Sequence, residues 1–297
     1  MSPNSLELYR DQLSRFEHNL ETLKDKPEET PLSTLQTLWH YAGGTPLSCA
    51  AAMETSLVDL SEGGQDTLKN LVSKRLEGSP LAYIVGRQRF MGLELLAESA
   101  ALIPRAETEQ LAGVCLELLA STDHPVVLDQ CTGSGNLPLC FADRMPRSTV
   151  YGSDISDEAI ELARRNAQKL GFEHRVEFRI GDLFAQFEEE SFTQAFDLIS
   201  CAPPYISAVK VPEMPDEISN FEPSLAFEAG AFGVSLFMRL IKESVKFLKS
   251  GGWLVFEVGL GQGKSMSGRL ERNKAYQNVK LFEDQAGDVR VVAAQKI

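Results

Sequence analysis

A chain of 297 residues, 43% of them hydrophobic, buries a substantial core without staples, and its length suits one large domain with a smaller companion. Its 29 Lys and Arg stand against 42 Asp and Glu, a net charge of −13 that speaks against a nucleic-acid partner, because phosphate binding needs clustered cations. The five cysteines are scattered with no Cys-x-x-Cys pair, so neither a metal site nor a disulfide framework is indicated, and reduced thiols in the cytoplasm are expected. The N-terminus is polar and acidic, unlike a signal peptide, and no apolar run approaches the ~20 residues that span a bilayer, so no membrane partner is expected.

Residues 1–80 read as a small N-terminal helical domain, suited to recognise a substrate or to lid a pocket. Leu6, Leu13, Phe16 and Leu20 recur at helical spacing, as do Leu32, Leu35 and Leu38. Breaks are expected from Pro27 to Pro31, at Gly43-Gly44 and at Gly63-Gly64, and Gly78-Ser-Pro80 marks the end of the domain. Residues 81–103 alternate short apolar runs with Gly86 and Gly92, as a hairpin-like connector does.

From 104 to 297 helices alternate with strands. Pro104-Arg-Ala-Glu-Thr opens a helix that places Leu111, Val114, Cys115, Leu118 and Leu119 on one face. Strands are predicted at 126–129, 149–154, 175–180, 196–200 and 253–258. The clearest helix covers 157–170, with Ser156 as N-cap and Gly171 just past its end. Another runs over 234–249 and is stopped by Gly251-Gly252. This alternation predicts an α/β fold whose parallel sheet is covered on both faces. Two last strands near 279–283 and 289–293, with no helix between them, predict a closing antiparallel hairpin.

Asp129-Gln-Cys-Thr-Gly-Ser-Gly135 follows the first of these strands and precedes a helix. Gly133 and Gly135 let the backbone turn tightly and approach a ligand; taken alone, such a loop either binds a nucleotide or simply closes a βα turn. Asp154 ends the second strand, where a carboxylate accepts both hydroxyls of a ribose. Asp182 ends the third, placed for an adenine amino group. Singly, each acid reads equally as a helix cap or a solvated loop residue, whereas together they mark successive strand ends.

Phe196-Asp-Leu-Ile-Ser-Cys-Ala-Pro-Pro-Tyr205 runs an apolar strand into two prolines that end it rigidly at its carboxyl edge, where open α/β sheets bind ligands. It resembles the Asn-Pro-Pro-Tyr signature of methyltransferases that alkylate nitrogen on planar amides and amines. Further blocks widen the likeness: Gly78-Ser-Pro-Leu-Ala-Tyr-Ile-Val-Gly86, Phe90-Met-Gly92, Leu102-Ile-Pro-Arg-Ala-Glu-Thr-Glu109, Thr132-Gly-Ser-Gly135, Asp154-Ile-Ser156, Ala163-Arg-Arg-Asn-Ala167, Gly181-Asp-Leu-Phe184, Pro203-Pro-Tyr-Ile206, Glu222-Pro223, Gly251-Gly-Trp-Leu254 and Glu257-Val-Gly259. Over nearly its whole length the chain resembles the release-factor glutamine methyltransferases (the PrmC/HemK family). The resemblance implies a class I, Rossmann-like methyltransferase sheet of seven strands and S-adenosylmethionine as cofactor. It also implies a cofactor set of Asp129, Thr132, Gly133, Gly135, Asp154, Ile155, Asp182, Leu183 and Ser200. Gly133 and Gly135 would lie under the amino-acid end, Asp154 on the ribose, and Asp182 with Leu183 beside the adenine.

Four departures from the family pattern cluster at the expected site. The signature Asn is Ala202; the first glycine of the Asp-x-Gly-x-Gly-x-Gly loop is Cys131; Asn136, with Pro138 close behind, follows that loop where a small apolar residue is usual; and the glycine turn after Glu222-Pro223 reads Glu228-Ala-Gly-Ala-Phe-Gly233. In the family the Asn carbonyl and a proline carbonyl accept both N–H bonds of the target amide and aim its nitrogen, so catalysis is chiefly positioning. Losing one buried acceptor costs ~1–3 kcal/mol, roughly 10- to 150-fold in rate. The candidate acceptor-side residues are therefore Ala202, Pro203, Tyr205 and Asn136. Asn136 either replaces the missing amide, contacts the amino-acid end of the cofactor, or merely starts a helix. Tyr205 stacks on a planar acceptor, offers its face to the sulfonium, or closes the core beneath the loop. Cys201 has no histidine near it in sequence to make it a nucleophile. Gly63-Gly-Gln65 matches the tripeptide the family methylates, here read as a coincidence in a turn between helices.

Four functions fit these residues. The first is a methyltransferase diverged from the release factor toward a small-molecule or non-standard amine acceptor. The second is intramolecular cyclisation of S-adenosylmethionine, its α-amine attacking its own γ-carbon to give azetidine-2-carboxylate and methylthioadenosine. The third is release-factor glutamine methylation itself, and the fourth a non-catalytic S-adenosylmethionine-binding module.

Overall fold

The computed structural model describes residues 2–23, 25–229 and 234–297, and the chain divides into two compact units. The first comprises Met1–Ser99, Ile103–Arg105 and Met214–Glu222; the second holds the remainder. The helices of the first unit are α1 (Pro3–Asn19), α2 (Pro31–Ala42), α3 (Cys49–Met53), α4 (Glu62–Leu76) and α5 (Leu81–Val85), followed by β1 (Arg87–Phe90) and β2 (Leu93–Leu96). Ser2, Thr30, Ser48 and Ser61 cap α1 to α4, each side chain accepting a first-turn amide that would otherwise have no partner. Phe16, Leu35, Leu38, Trp39, Leu68 and Val72 form the core of this unit. The expected hairpin is β1–β2, closed by Met91 and Gly92 at φ of 50° and 89°.

Gly63-Gly64 does not break the chain as expected. Both glycines lie in the first turn of α4, where the Ser61 hydroxyl accepts from the Gly64 amide at 3.1 Å, so the cap outweighs the helix cost of glycine. Gly63-Gly-Gln65 is accordingly helical, not a turn between helices.

A cluster of buried charges joins distant parts of this unit, which carries one more helix, α9 (Asp216–Phe221). Glu217 bonds Lys26 at 2.5 Å and Arg75 at 2.6 Å, and Arg75 also pairs with Glu29 at 2.9 Å. Glu222 accepts from Arg105 at 2.5 Å and from the Ile103 amide at 3.0 Å, while Arg105 also meets Asp25 at 3.0 Å. Removing one member leaves a buried charge unpaired, typically ~3–5 kcal/mol, which is why 103–105 and 214–222 pack with the helices.

The second unit begins with α6 (Ala106–Leu118), β3 (Val126–Gln130), α7 (Asn136–Arg144), β4 (Thr149–Asp154), α8 (Asp157–Leu170), β5 (Val176–Ile180) and β6 (Phe196–Cys201). After the excursion through α9 come α10 (Ser235–Phe247), β7 (Leu248–Glu257), α11 (Gly263–Glu271), β8 (Tyr276–Glu283) and β9 (Val289–Lys296). The seven strands are ordered β5-β4-β3-β6-β7-β9-β8, with β5 through β7 parallel and β9 antiparallel to both β7 and β8. Near-continuous burial along β3 and β6 reflects helices on both faces. The strand order reverses between β3 and β6, and their carboxyl ends form the topological switch point where such sheets take ligands.

Two local readings change. The second long helix stops at Phe247, not at Gly251-Gly252, and β7 has begun by Leu248 and runs through both glycines. Gly251 adopts φ 81°, and a Cβ on Gly252 would lie 2.9 Å from the Phe196 carbonyl oxygen, so the pair makes the irregularity in the β6–β7 register. Helix α11, between β7 and β8, is an element the sequence pattern did not signal. Among the described residues no helix is long and apolar enough to cross a membrane.

Gly135 shows how tightly the loop is packed. It has φ 81°, and a Cβ there would sit 3.0 Å from both Ala163 Cβ and Phe178 Cζ. Gly135→Ala is expected to destabilise by ~1–3 kcal/mol, lowering the melting temperature by several degrees in a thermal unfolding scan.

Candidate cofactor and acceptor site

The switch point is built from the ends of β3, β4 and β6. Asp129 is 1% exposed; its Oδ1 accepts from Ser200 Oγ at 2.7 Å, whereas Oδ2 is buried with no well-formed hydrogen bond. Burial pushes its pKa up to about 7, against the pull of the Ser200 and Thr132 hydroxyls. The loop beyond it is fixed by its backbone. The Thr132 amide donates to the Ser153 carbonyl at 3.0 Å, the Gly133 amide to Asp154 Oδ2 at 2.9 Å, and Asn166 Nδ2 of α8 to the Ser134 carbonyl at 3.0 Å. Asp154 Oδ1 accepts from the Ser156 amide at 3.0 Å, and burial raises its pKa while these backbone bonds oppose the rise. Cys131, where the family has glycine, keeps a left-handed φ of 57°, a conformation that costs a residue with a Cβ ~1 kcal/mol or more.

These residues suit S-adenosylmethionine. Four buried polar atoms of this region, Asp129 Oδ2, Gln130 Nε2, Thr132 Oγ1 and Ser134 Oγ, have no well-formed protein hydrogen bond, as expected where polar groups meet a ligand. Ile155 is 55% exposed at the end of β4. Leu183 is buried with φ 50°. Asp182 is half exposed, and both its oxygens accept from Arg239 Nη1 of α10 at 2.9 Å, a partner the sequence did not suggest. Ser200 is fully buried and donates its hydroxyl to Asp129.

Of the residues expected on the acceptor side, Ala202, Pro203 and Tyr205 follow β6 and Asn136 follows the glycine loop. Ala202 is half-buried and Pro203 buried. Tyr205 is anchored inward, its hydroxyl donating to Glu257 Oε1 at 3.0 Å, while Thr108 Oγ1 donates to Glu257 Oε2 at 2.8 Å. Burial raises the pKa of both Tyr205 and Glu257. Asn136 is the first residue of α7, half-buried and making no hydrogen bond through its side chain among the described residues. Pro138 stands in the first turn, where its missing N–H costs no helical bond. Burial, reinforced by Cys131 beside it, pushes the Cys201 thiol up, the opposite of an activated nucleophile. Of the stretch from Glu228 to Gly233, residues 230–233 lie outside the described residues.

Thr108, Asn166 and Glu257 stand inside motif blocks already noted, yet only their partners across the sheet give them roles. Arg239 and Arg290 had no local signal.

Comparison with known proteins agrees with this architecture. The methyltransferase-domain family matches residues 121–257. A release factor glutamine methyltransferase of Aliivibrio fischeri is 38% identical over 225 residues, covering 76% of this chain and 77% of its own. One from Rhodopirellula baltica is 32% identical over 289 residues, 95% of each chain. The solved structure described as the delta-N METTL16 MTase domain aligns at a TM-score of 0.50 with 16% identity, covering 69% of this chain and 89% of that one, a likeness of fold alone. With relatives at 32–38% identity covering 76% and 95% of it, the chain belongs to the release factor glutamine methyltransferase (PrmC/HemK) family and is an S-adenosylmethionine-dependent methyltransferase.

Proposed function

We propose that this member of the family methylates a nitrogen acceptor other than the release-factor glutamine, a small-molecule amine, in the cytoplasm. The observation that carries the reading is Ala202, which puts a methyl group at the edge of β6 where an amide oxygen would grip one N–H of a carboxamide. An amine needs no planar two-point grip, so the loss of about 1–3 kcal/mol falls on carboxamides and spares it. S-adenosylmethionine, when bound, supplies an electrophilic methyl group. The chain's own part is binding and aim: Asp129 and Thr132 take the amino-acid end, Gly133 and Gly135 let the backbone come close, and Asp154 takes the ribose. Ile155, Leu183 and Asp182 flank the base, and Pro203 keeps a carbonyl at the acceptor. The five unpaired cysteines support a reducing compartment.

Two other readings each have an observation in favour. Kinship with release factor glutamine methyltransferases favours release-factor glutamine methylation. Asn136, half-exposed at the start of α7 beside the glycine loop, is the polar residue a cyclase would use to bend the methionine chain of S-adenosylmethionine toward azetidine-2-carboxylate.

The deciding experiment incubates the protein with S-adenosylmethionine alone, with a Gly-Gly-Gln release-factor peptide, and with a panel of primary amines, and identifies the nucleoside formed. S-adenosylhomocysteine only with an amine is the expected result. Methylthioadenosine from S-adenosylmethionine alone selects the cyclase, and rapid peptide methylation restores the family reaction. Ala202→Asn is expected to raise peptide methylation by roughly 10- to 150-fold. No gain removes the argument from the missing acceptor.

A further inference from the structure

We infer that Glu257 and Gln262 are positioning residues, which together hold Tyr205, and through it the loop 202–205, at the carboxyl edge of β6. The inference rests on the assignment of that loop to the acceptor side and is independent of which acceptor is used.

Glu257 is the last residue of β7, one step past the Cys201–Phe256 register pair, so it flanks Ala202 across the sheet. It is 4% exposed, an expensive place for a carboxyl group without specific partners. Both of its oxygens are taken, Oε1 by the Tyr205 hydroxyl and Oε2 by Thr108, and Arg290 Nη2 stands 3.5 Å from the same hydroxyl. The other end of Tyr205 is held by Gln262, whose Nε2 donates to the Tyr205 carbonyl at 3.2 Å while its Oε1 accepts from the Gly259 amide at 2.9 Å. The ring lies against Gly259 itself, since a Cβ there would be 2.8 Å from Tyr205 Cδ2. The hydroxyl, the ring and the backbone carbonyl of Tyr205 are thus all gripped by one short segment, 257–262.

The two prolines before Tyr205 have fixed φ, so the clamp on the tyrosine transmits to Ala202 and Pro203. A reaction governed by aim feels such control strongly, because a misplacement of about 1 Å costs on the order of 100-fold in rate. A buried carboxyl whose hydrogen bonds go to Tyr205 and Thr108 acts on the loop by fixing Tyr205.

The test compares wild type with Glu257→Ala, Glu257→Gln, Gln262→Leu, Tyr205→Phe and the double variant Glu257→Ala/Tyr205→Phe. Three quantities are read: hydrogen–deuterium exchange of peptides spanning 202–213, calorimetric affinity for S-adenosylhomocysteine, and turnover of S-adenosylmethionine in the three mixtures named above. Glu257→Ala is expected to speed exchange in the loop and to lower kcat by roughly 30- to 100-fold, with S-adenosylhomocysteine affinity within about twofold of wild type. Gln262→Leu, which keeps the buried carboxyl, moves the same way, and Glu257→Gln is largely rescued because its Oε1 still accepts from Tyr205. The double variant is no worse than the more damaged single, since both cut one link.

Unchanged loop exchange in Glu257→Ala and Gln262→Leu overturns the inference. So does a loss carried by ligand affinity instead of kcat, or additive single effects. If wild type turns over S-adenosylmethionine in none of the mixtures, the proposed function has failed, and loop exchange with ligand affinity alone decides the clamp.

Discussion

Asp129→Asn is expected to weaken S-adenosylhomocysteine binding at pH 8 by roughly 10- to 150-fold, the ~1.5–3 kcal/mol of a hydrogen bond to a charged group, while stabilising the ligand-free protein. Both effects follow from one buried carboxyl. Its folded pKa lies at about 7, against an ordinary value of about 4 in the unfolded chain. Between these values the folded state keeps a proton that the unfolded state has lost, so this group's contribution to stability falls as pH rises from about 4 to about 7 and is flat above. A neutral asparagine has no such slope. The difference in unfolding free energy between variant and wild type therefore grows across that window, reaching on the order of a few kcal/mol at pH 8. A ligand ammonium opposite Oδ2 favours the ionised form, so wild-type affinity should climb as pH passes through 7. The climb ends where the ligand's own amino group, with an ordinary pKa of about 8, starts to lose its proton. Calorimetric titrations from pH 6 to 8.5 check this, and parallel profiles for the two proteins would remove Asp129 from the site.

Asp154→Ala is expected to abolish measurable S-adenosylhomocysteine binding, a loss of more than about 100-fold, because it removes two things at once. One is the carboxylate assigned to the ribose hydroxyls. The other is the acceptor for the amides of Gly133 and Ser156, at 2.9 and 3.0 Å, which shape the glycine loop and start α8. Both bonds are part-buried, so losing them costs about 0.5–1.5 kcal/mol each and the ligand-free variant should also melt a few degrees lower. Asp154→Asn separates the two roles. Its single amide oxygen keeps one of the backbone bonds, so stability should recover more than affinity does. An Asp154→Ala protein that binds as tightly as wild type would contradict the ribose assignment.

The legible features were those encoded locally. Helix α8 was readable to the residue because Ser156 and Gly171 punctuate it. The central strands β3 and β6 were readable because buried parallel strands are apolar along their length, and the edge strand β5 because its apolar residues alternate. Gly63-Gly64 and Gly251-Gly252 misled because glycine reports backbone freedom, and a cap or a strand bulge can use that freedom as well as a turn can. Ala202 could be read as a lost acceptor from its motif frame alone.

The roles of Glu257, Thr108, Gln262 and Arg239 could not. Each acts through a partner brought near by sheet order, as β7 lies beside β6 and α10 carries Arg239 to the end of β5. The sequence alone thus determined the family, the parallel sheet and the acids at its strand ends, since periodicity and short motifs are properties of neighbouring residues. The inward anchoring of Tyr205, the unpaired Oδ2 and raised pKa of Asp129, and the charge cluster of Arg105 with Glu222 were decided only by tertiary structure. Hydrogen bonding and desolvation depend on which distant groups share a buried volume, and only the folded chain sets that.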